Sequence, residues 1–178
     1  MQAMLARSRL RVLPNVLSFS RLALAAGFVA VDGVGARVGL IGVAAATDFL
    51  DGWLARRVNA ASRWGALIDP IADRFFVLTA VATMLFSGAL TTGQYFVLIA
   101  RDLATAVGFL VARMVSWLKP VEFRARWLGK IVTTLQLAAL LVALLAPRLL
   151  DPLIVAVAIT SVASIVDYTL ALWRARAT

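Results

Sequence analysis

Asp48, Asp51, Asp69 and Asp73 are four of the nine acidic residues of the chain, and they fall in one short stretch. The stretch reads Asp48-Phe-Leu-Asp51-Gly52-Trp-Leu-Ala55-Arg56, then eight residues, then Gly65-Ala-Leu-Ile-Asp69-Pro-Ile-Ala-Asp73. On a helix, Asp48, Asp51, Gly52 and Ala55 share one face, and Gly65, Asp69 and Asp73 share another. Two helices joined by a short turn would set these stripes opposite each other, with glycines admitting a close approach to the backbone. Four carboxylates gathered in a low dielectric need a counter-charge. Arg56, Arg57, Arg63 and Arg74 could supply it as ion pairs. Divalent cations would neutralise the cluster better and could also grip phosphate. The chain has no cysteine and no histidine, so thiol chemistry, imidazole bases and soft-metal ligation are excluded. A metal bound here must be held by oxygen, which points to Mg²⁺ or Mn²⁺.

The elements that position these residues follow from composition. Of the 178 residues, 62% are hydrophobic, with a mean hydropathy of +0.92. A soluble domain of this size could not hide that much apolar surface, so the bilayer is the natural solvent. Six apolar segments can be drawn, roughly Pro14–Val31, Val38–Leu54, Trp64–Phe86, Gln94–Trp117, Leu128–Leu145 and Pro152–Trp173. Each is about long enough to cross a hydrocarbon core of ~30 Å as a helix. The expected fold is an all-α integral membrane domain of six transmembrane helices over residues 14–178. A basic juxtamembrane segment, Met1–Leu13, precedes it and lies on anionic headgroups.

The net charge of +9 fits cytoplasmic loops facing anionic lipid better than a nucleic-acid partner. Arg7, Arg9 and Arg11 precede the first segment, Arg56, Arg57 and Arg63 lie between the second and third, and Lys119, Arg124, Arg126 and Lys130 between the fourth and fifth. Arg174 and Arg176 follow the sixth, and only Arg37 and Arg148 are assigned to the opposite loops. The positive-inside rule then sets both termini, and the acidic stretch, on the cytoplasmic side of a multi-pass inner-membrane protein.

The pattern D-x2-D-G-x2-A-R-x8-G-x3-D-x3-D resembles, at every fixed position, the signature of the CDP-alcohol phosphotransferase family. Pro14-Asn15-x-x-Ser18-x-x-Arg21 resembles the entry to the first span common among these enzymes, and the likeness extends along the six segments. The resemblance implies transfer of a phosphatidyl group from CDP-diacylglycerol to an alcohol with release of CMP, in phospholipid biosynthesis. It implies that Asp48, Asp51, Asp69 and Asp73 ligate two divalent ions, Mg²⁺ or Mn²⁺, with Asp73 also acting as general base. Asn15, Ser18, Gly52, Arg56, Ser62 and Gly65 would hold the CDP part of the donor, and Arg56 suits the diphosphate through its forked donors. A homodimer is the family's common assembly.

The acceptor is carried by fewer residues. Leu128-Gly129-Lys130-x-x-Thr133-Thr134-x-Gln136 resembles a stretch of phosphatidylglycerophosphate synthases, and a related one occurs in eukaryotic-type cardiolipin synthases. Arg101-Asp102 stands where the former typically have Arg-Glu, and Arg74 where they have Lys. Glycerol 3-phosphate is the first choice of acceptor, ahead of phosphatidylglycerol and of inositol phosphate or another polyol phosphate. Lys130 and Arg113 are the candidate contacts to its phosphate. Arg101 and Asp102, adjacent in sequence, are expected to point apart on a helix and to find structural partners inside the bundle. Asp167 carries the same structural expectation, and Arg21 could contact phosphate or an acid, or snorkel. A non-catalytic ion-binding membrane transporter is the rival of a different class.

Overall fold

The computed structural model describes the backbone of residues 20–57, 65–114 and 127–176, and the side chains of 20–47, 74–108, 128–170 and 173. Within these residues there is no strand. The helices are α1 (Ser20–Ala30), α2 (Val34–Arg57), α3 (Gly65–Phe86), α4 (Thr92–Met114), α5 (Trp127–Leu145) and α6 (Leu150–Arg176), the last preceded by a 3₁₀ turn at Pro147–Leu149. Each of the six apolar segments is thus helical where it is described, Val31 excepted. Two stretches, Leu128–Leu145 and Pro147–Leu170, are long and apolar enough to cross a bilayer. On α6, Val155, Ile159, Val162, Val166, Leu170 and Trp173 are exposed at helical spacing. Such a stripe suits an apolar solvent, and the pattern is that of an all-α membrane protein.

The chain divides into two compact units, the first ending at Phe86 and the second beginning at Ser87. In the first, Phe28 of α1 is fully buried and stands edge-on to Phe76 of α3, with ring centroids 5.9 Å apart. The Arg37 guanidinium lies 5.5 Å from the Phe28 ring centroid. Arg37 corrects the loop assignment, because α2 begins at Val34 and takes this residue into its first turns. Its charge is met locally: Nε donates to the Val31 carbonyl (2.9 Å) and Nη2 to Asp32 Oδ1 (3.4 Å). An arginine so partnered can be buried where a bare cation could not.

The α3–α4 connection carries Gly88 at φ 74°, a left-handed turn that a side chain would strain. In the second unit α4 and α5 both pack on α6. Its core comprises Leu98, Val132, Ala139, Leu140, Ile154 and Val157. A capping box opens α4: Gln94 N donates to Thr91 Oγ1 (3.3 Å) while Thr91 N donates to Gln94 Oε1 (2.9 Å). Gln94 Nε2 also donates to Asp151 Oδ1 (2.9 Å), tying the start of α4 to the first turn of α6.

Candidate active site

The acidic run is divided between the C-terminal half of α2 and the N-terminal half of α3, both in the first unit. Helical backbone is continuous from Asp48 to Arg57, so Asp48, Asp51, Gly52 and Ala55 keep the i, i+3, i+4, i+7 register. α3 starts at Gly65 and runs through Asp69 and Asp73 without interruption, placing the three at i, i+4 and i+8. The helical backbone keeps the register on which the two stripes depend. The carboxylates of Asp48, Asp51, Asp69 and Asp73 and the Arg56 guanidinium lie outside the described side chains, as does that of Arg113 near the end of α4. Asn15, Ser18, Ser62 and the segment Met1–Leu13 lie outside the described residues altogether.

Among the described residues no three carboxylates come together as a metal site. The donor set of the acidic run nevertheless fits a hard divalent cation. Its potential ligands are all carboxylates, and their register on two helices is intact. Phe76, three residues beyond Asp73, fixes α3 against Phe28, and Thr47, immediately before Asp48, donates its hydroxyl to the Ala44 carbonyl (2.8 Å). Arg74 is half-buried, and Arg21 on α1 is buried.

A second polar cluster joins α4 to α5. Arg101, Asp102 and Gln136 are all buried. Gln136 Nε2 donates to Asp102 Oδ2 (2.8 Å) and to the Leu98 carbonyl (2.6 Å). Arg101 Nη1 donates to Asp102 Oδ1 at 3.2 Å. The expectation that these neighbours point apart is therefore corrected. The arginine stem is long enough to carry its guanidinium round the helix to the adjacent carboxylate. The expected partnership inside the bundle is present, and its member on α5, Gln136, was legible only as the end of a motif. Two turns earlier Gly129 is buried, and a Cβ there would run into the Arg101 guanidinium. Lys130, the next residue, is exposed on the first turn of α5. Thr133 and Thr134 donate their hydroxyls to the carbonyls of Gly129 and Lys130, each at 3.0 Å.

A family model described as CDP-alcohol phosphatidyltransferase matches residues 11–173. The chain is also similar to proteins named CDP-diacylglycerol--glycerol-3-phosphate 3-phosphatidyltransferase. That of Escherichia coli (strain K12) is 36% identical over 106 residues, covering 55% of this chain and 54% of the relative. The same identity and coverage hold for the proteins so named from Shigella flexneri serotype 5b and Shigella boydii serotype 4. The chain thus spans about half the length of these relatives.

Proposed function

Because the chain belongs to the CDP-alcohol phosphatidyltransferase family, we propose that it transfers the phosphatidyl group of CDP-diacylglycerol to glycerol 3-phosphate and releases CMP. The observation that carries this reading is the unbroken D-x2-D-G-x2-A-R-x8-G-x3-D-x3-D pattern, with its acids in register on α2 and α3. The name of the similar Escherichia coli protein supports the choice of acceptor.

Asp48, Asp51, Asp69 and Asp73 would hold divalent cations, Mg²⁺ or Mn²⁺, which when bound supply positive charge to the donor diphosphate and the departing CMP. Arg56 meets the diphosphate with paired donors, while Gly52 and Gly65 let it approach the helix backbones. Asn15, Ser18 and Ser62 complete the contacts to the CDP part. An alcohol is a poor nucleophile at neutral pH, so a base within hydrogen-bond reach must take its proton as attack begins. Asp73 has that role. The acceptor oxygen forms its bond to the phosphorus bearing the diacylglycerol, the bond from that phosphorus to the CMP oxygen breaks, and CMP leaves with the bonding pair. The acceptor phosphate is a compact anion that needs more than one donor when partly desolvated, and Lys130 and Arg113 provide them. The protein would work as a six-span inner-membrane homodimer, with both termini and the acidic face toward the cytoplasm.

The test is a product assay on purified protein with CDP-diacylglycerol and Mg²⁺ or Mn²⁺. Glycerol 3-phosphate, phosphatidylglycerol, inositol 1-phosphate, free inositol and serine are supplied in parallel, and the lipid product is identified by mass. Phosphatidylglycerophosphate is expected. Consumption of phosphatidylglycerol alone would make the protein a cardiolipin synthase. No CMP release with any acceptor would favour the non-catalytic, ion-binding reading.

A further inference from the structure

The cross-helix contacts of the cluster on α4 and α5 depend on how the two helices are set against each other. Asp102 receives Arg101 on one carboxylate oxygen and Gln136 on the other, and the Gln136 amide nitrogen also donates to the Leu98 carbonyl. Gly129 lies two turns from Gln136 on the same face of α5 and leaves the space that the Arg101 guanidinium fills. Sliding α5 by one turn, about 5.4 Å, would part Gln136 from Asp102 and set a side chain where the guanidinium lies. Such a network is a poor source of stability, since hydrogen bonds between membrane helices contribute little on average. A buried ion pair is also often replaced by apolar groups without loss. Its strength is discrimination, because apolar helix faces in lipid offer several near-equal registers and a directional network offers one.

We propose that Gln136, acting through the Arg101–Asp102 pair and the gap at Gly129, is a positioning residue. It fixes the register of α5 against α4 and so sets where Lys130 presents its ammonium to the acceptor phosphate. The proposal rests on the reading of Lys130 as an acceptor contact. Lys130 directly follows Gly129 and is exposed while its neighbour is buried, so the seam holds the backbone from which it projects. With side chains the helix radius is about 5–6 Å, so a rotation of roughly 20° moves a group at that radius by about 2 Å. A misplacement of about 1 Å can cost on the order of 100-fold in rate.

The experiment has two arms on the full chain. Spin labels on Val107→Cys and Leu145→Cys, both exposed positions in a protein without native cysteine, report the register of α4 against α5. Gln136→Leu should shift or broaden their distance distribution. Gln136→Asn keeps the amide but shortens its reach and should do the same if the leucine variant folds poorly. In the kinetic arm, Gln136→Leu should raise KM for glycerol 3-phosphate by about tenfold or more while KM for CDP-diacylglycerol holds. The exchange Asp102→Asn with Gln136→Glu, which restores an amide–carboxylate contact with the partners reversed, should recover part of that loss. An unchanged distance distribution in both single variants would overturn the register device. A shifted distribution with unchanged acceptor KM would overturn its link to Lys130. Failure of the wild type to use glycerol 3-phosphate would overturn the parent reading and the link together, while the spin-label arm still decides the register.

Discussion

Phe28 is where three helices of the first unit meet, and replacing it should reveal how firmly they are held. Its ring has no exposed surface, stands at 81° to Phe76, and lies beneath the Arg37 guanidinium. In a bilayer the separated helices remain in lipid, so the usual gain from leaving water largely drops out and contact terms decide. Phe28→Ala removes roughly 100 Å³, and at about 24 cal/mol per Å³ the residual cavity costs about 2 kcal/mol. The edge-to-face pair adds about 1 kcal/mol, and the desolvated cation–π contact about 1 kcal/mol. The expected loss is therefore about 4 kcal/mol for Phe28→Ala. Phe28→Leu, which keeps most of the volume but not the ring, should lose about 2 kcal/mol. Reversible unfolding in mixed micelles, titrated with sodium dodecyl sulfate, measures both. Should Phe28→Leu match the wild type, the ring contacts contribute nothing and the reasoning fails. If Phe28→Ala also costs under about 1 kcal/mol, the site collapses around the smaller residue and is no anchor.

Other expectations concern the acids and the topology. Asp48→Asn, Asp51→Asn and Asp69→Asn should each abolish turnover and weaken Mn²⁺ binding, because the amide keeps shape and loses charge; wild-type turnover with unchanged Mn²⁺ affinity would remove that residue from the ligand set. Asp73→Asn should leave donor binding largely intact while kcat falls by about 10²–10⁴-fold, as for a lost base. Unimpaired catalysis would exclude Asp73 from proton transfer. Single cysteines near Arg57, Phe123 and the C-terminus should label from the cytoplasmic side, and those near Gly35, Thr91 and Ala146 from the opposite side. A reversed pattern would set the acidic face on the other leaflet.

The acidic run was legible because its information is local. Spacing along one helix is enough to put Asp48 with Asp51, and Asp69 with Asp73, on common stripes, and the backbone of α2 and α3 keeps that spacing. Helix ends are less legible, since hydropathy marks the apolar middle of a segment and says little about its polar flanks. Hydropathy therefore places Arg37 in a loop, whereas α2 includes it. Its burial depends on partners in the preceding helix and turn, Phe28, Val31 and Asp32. The capping box at Thr91 and Gln94 is a sequence-local device as well.

By itself the sequence determined six helical segments, their apolar character and the register of the acids, because a helix closes its hydrogen bonds within its own segment. The tertiary structure decided which polar groups meet across segments. Gln136 reaches Asp102 and Leu98, residues 34 and 38 positions earlier in the chain. Arg101 lies against Gly129 because a position on another helix carries no side chain. No local period encodes such pairings: they exist only where tertiary packing brings one helix's gap to another's charge, and where burial makes an unmatched group costly.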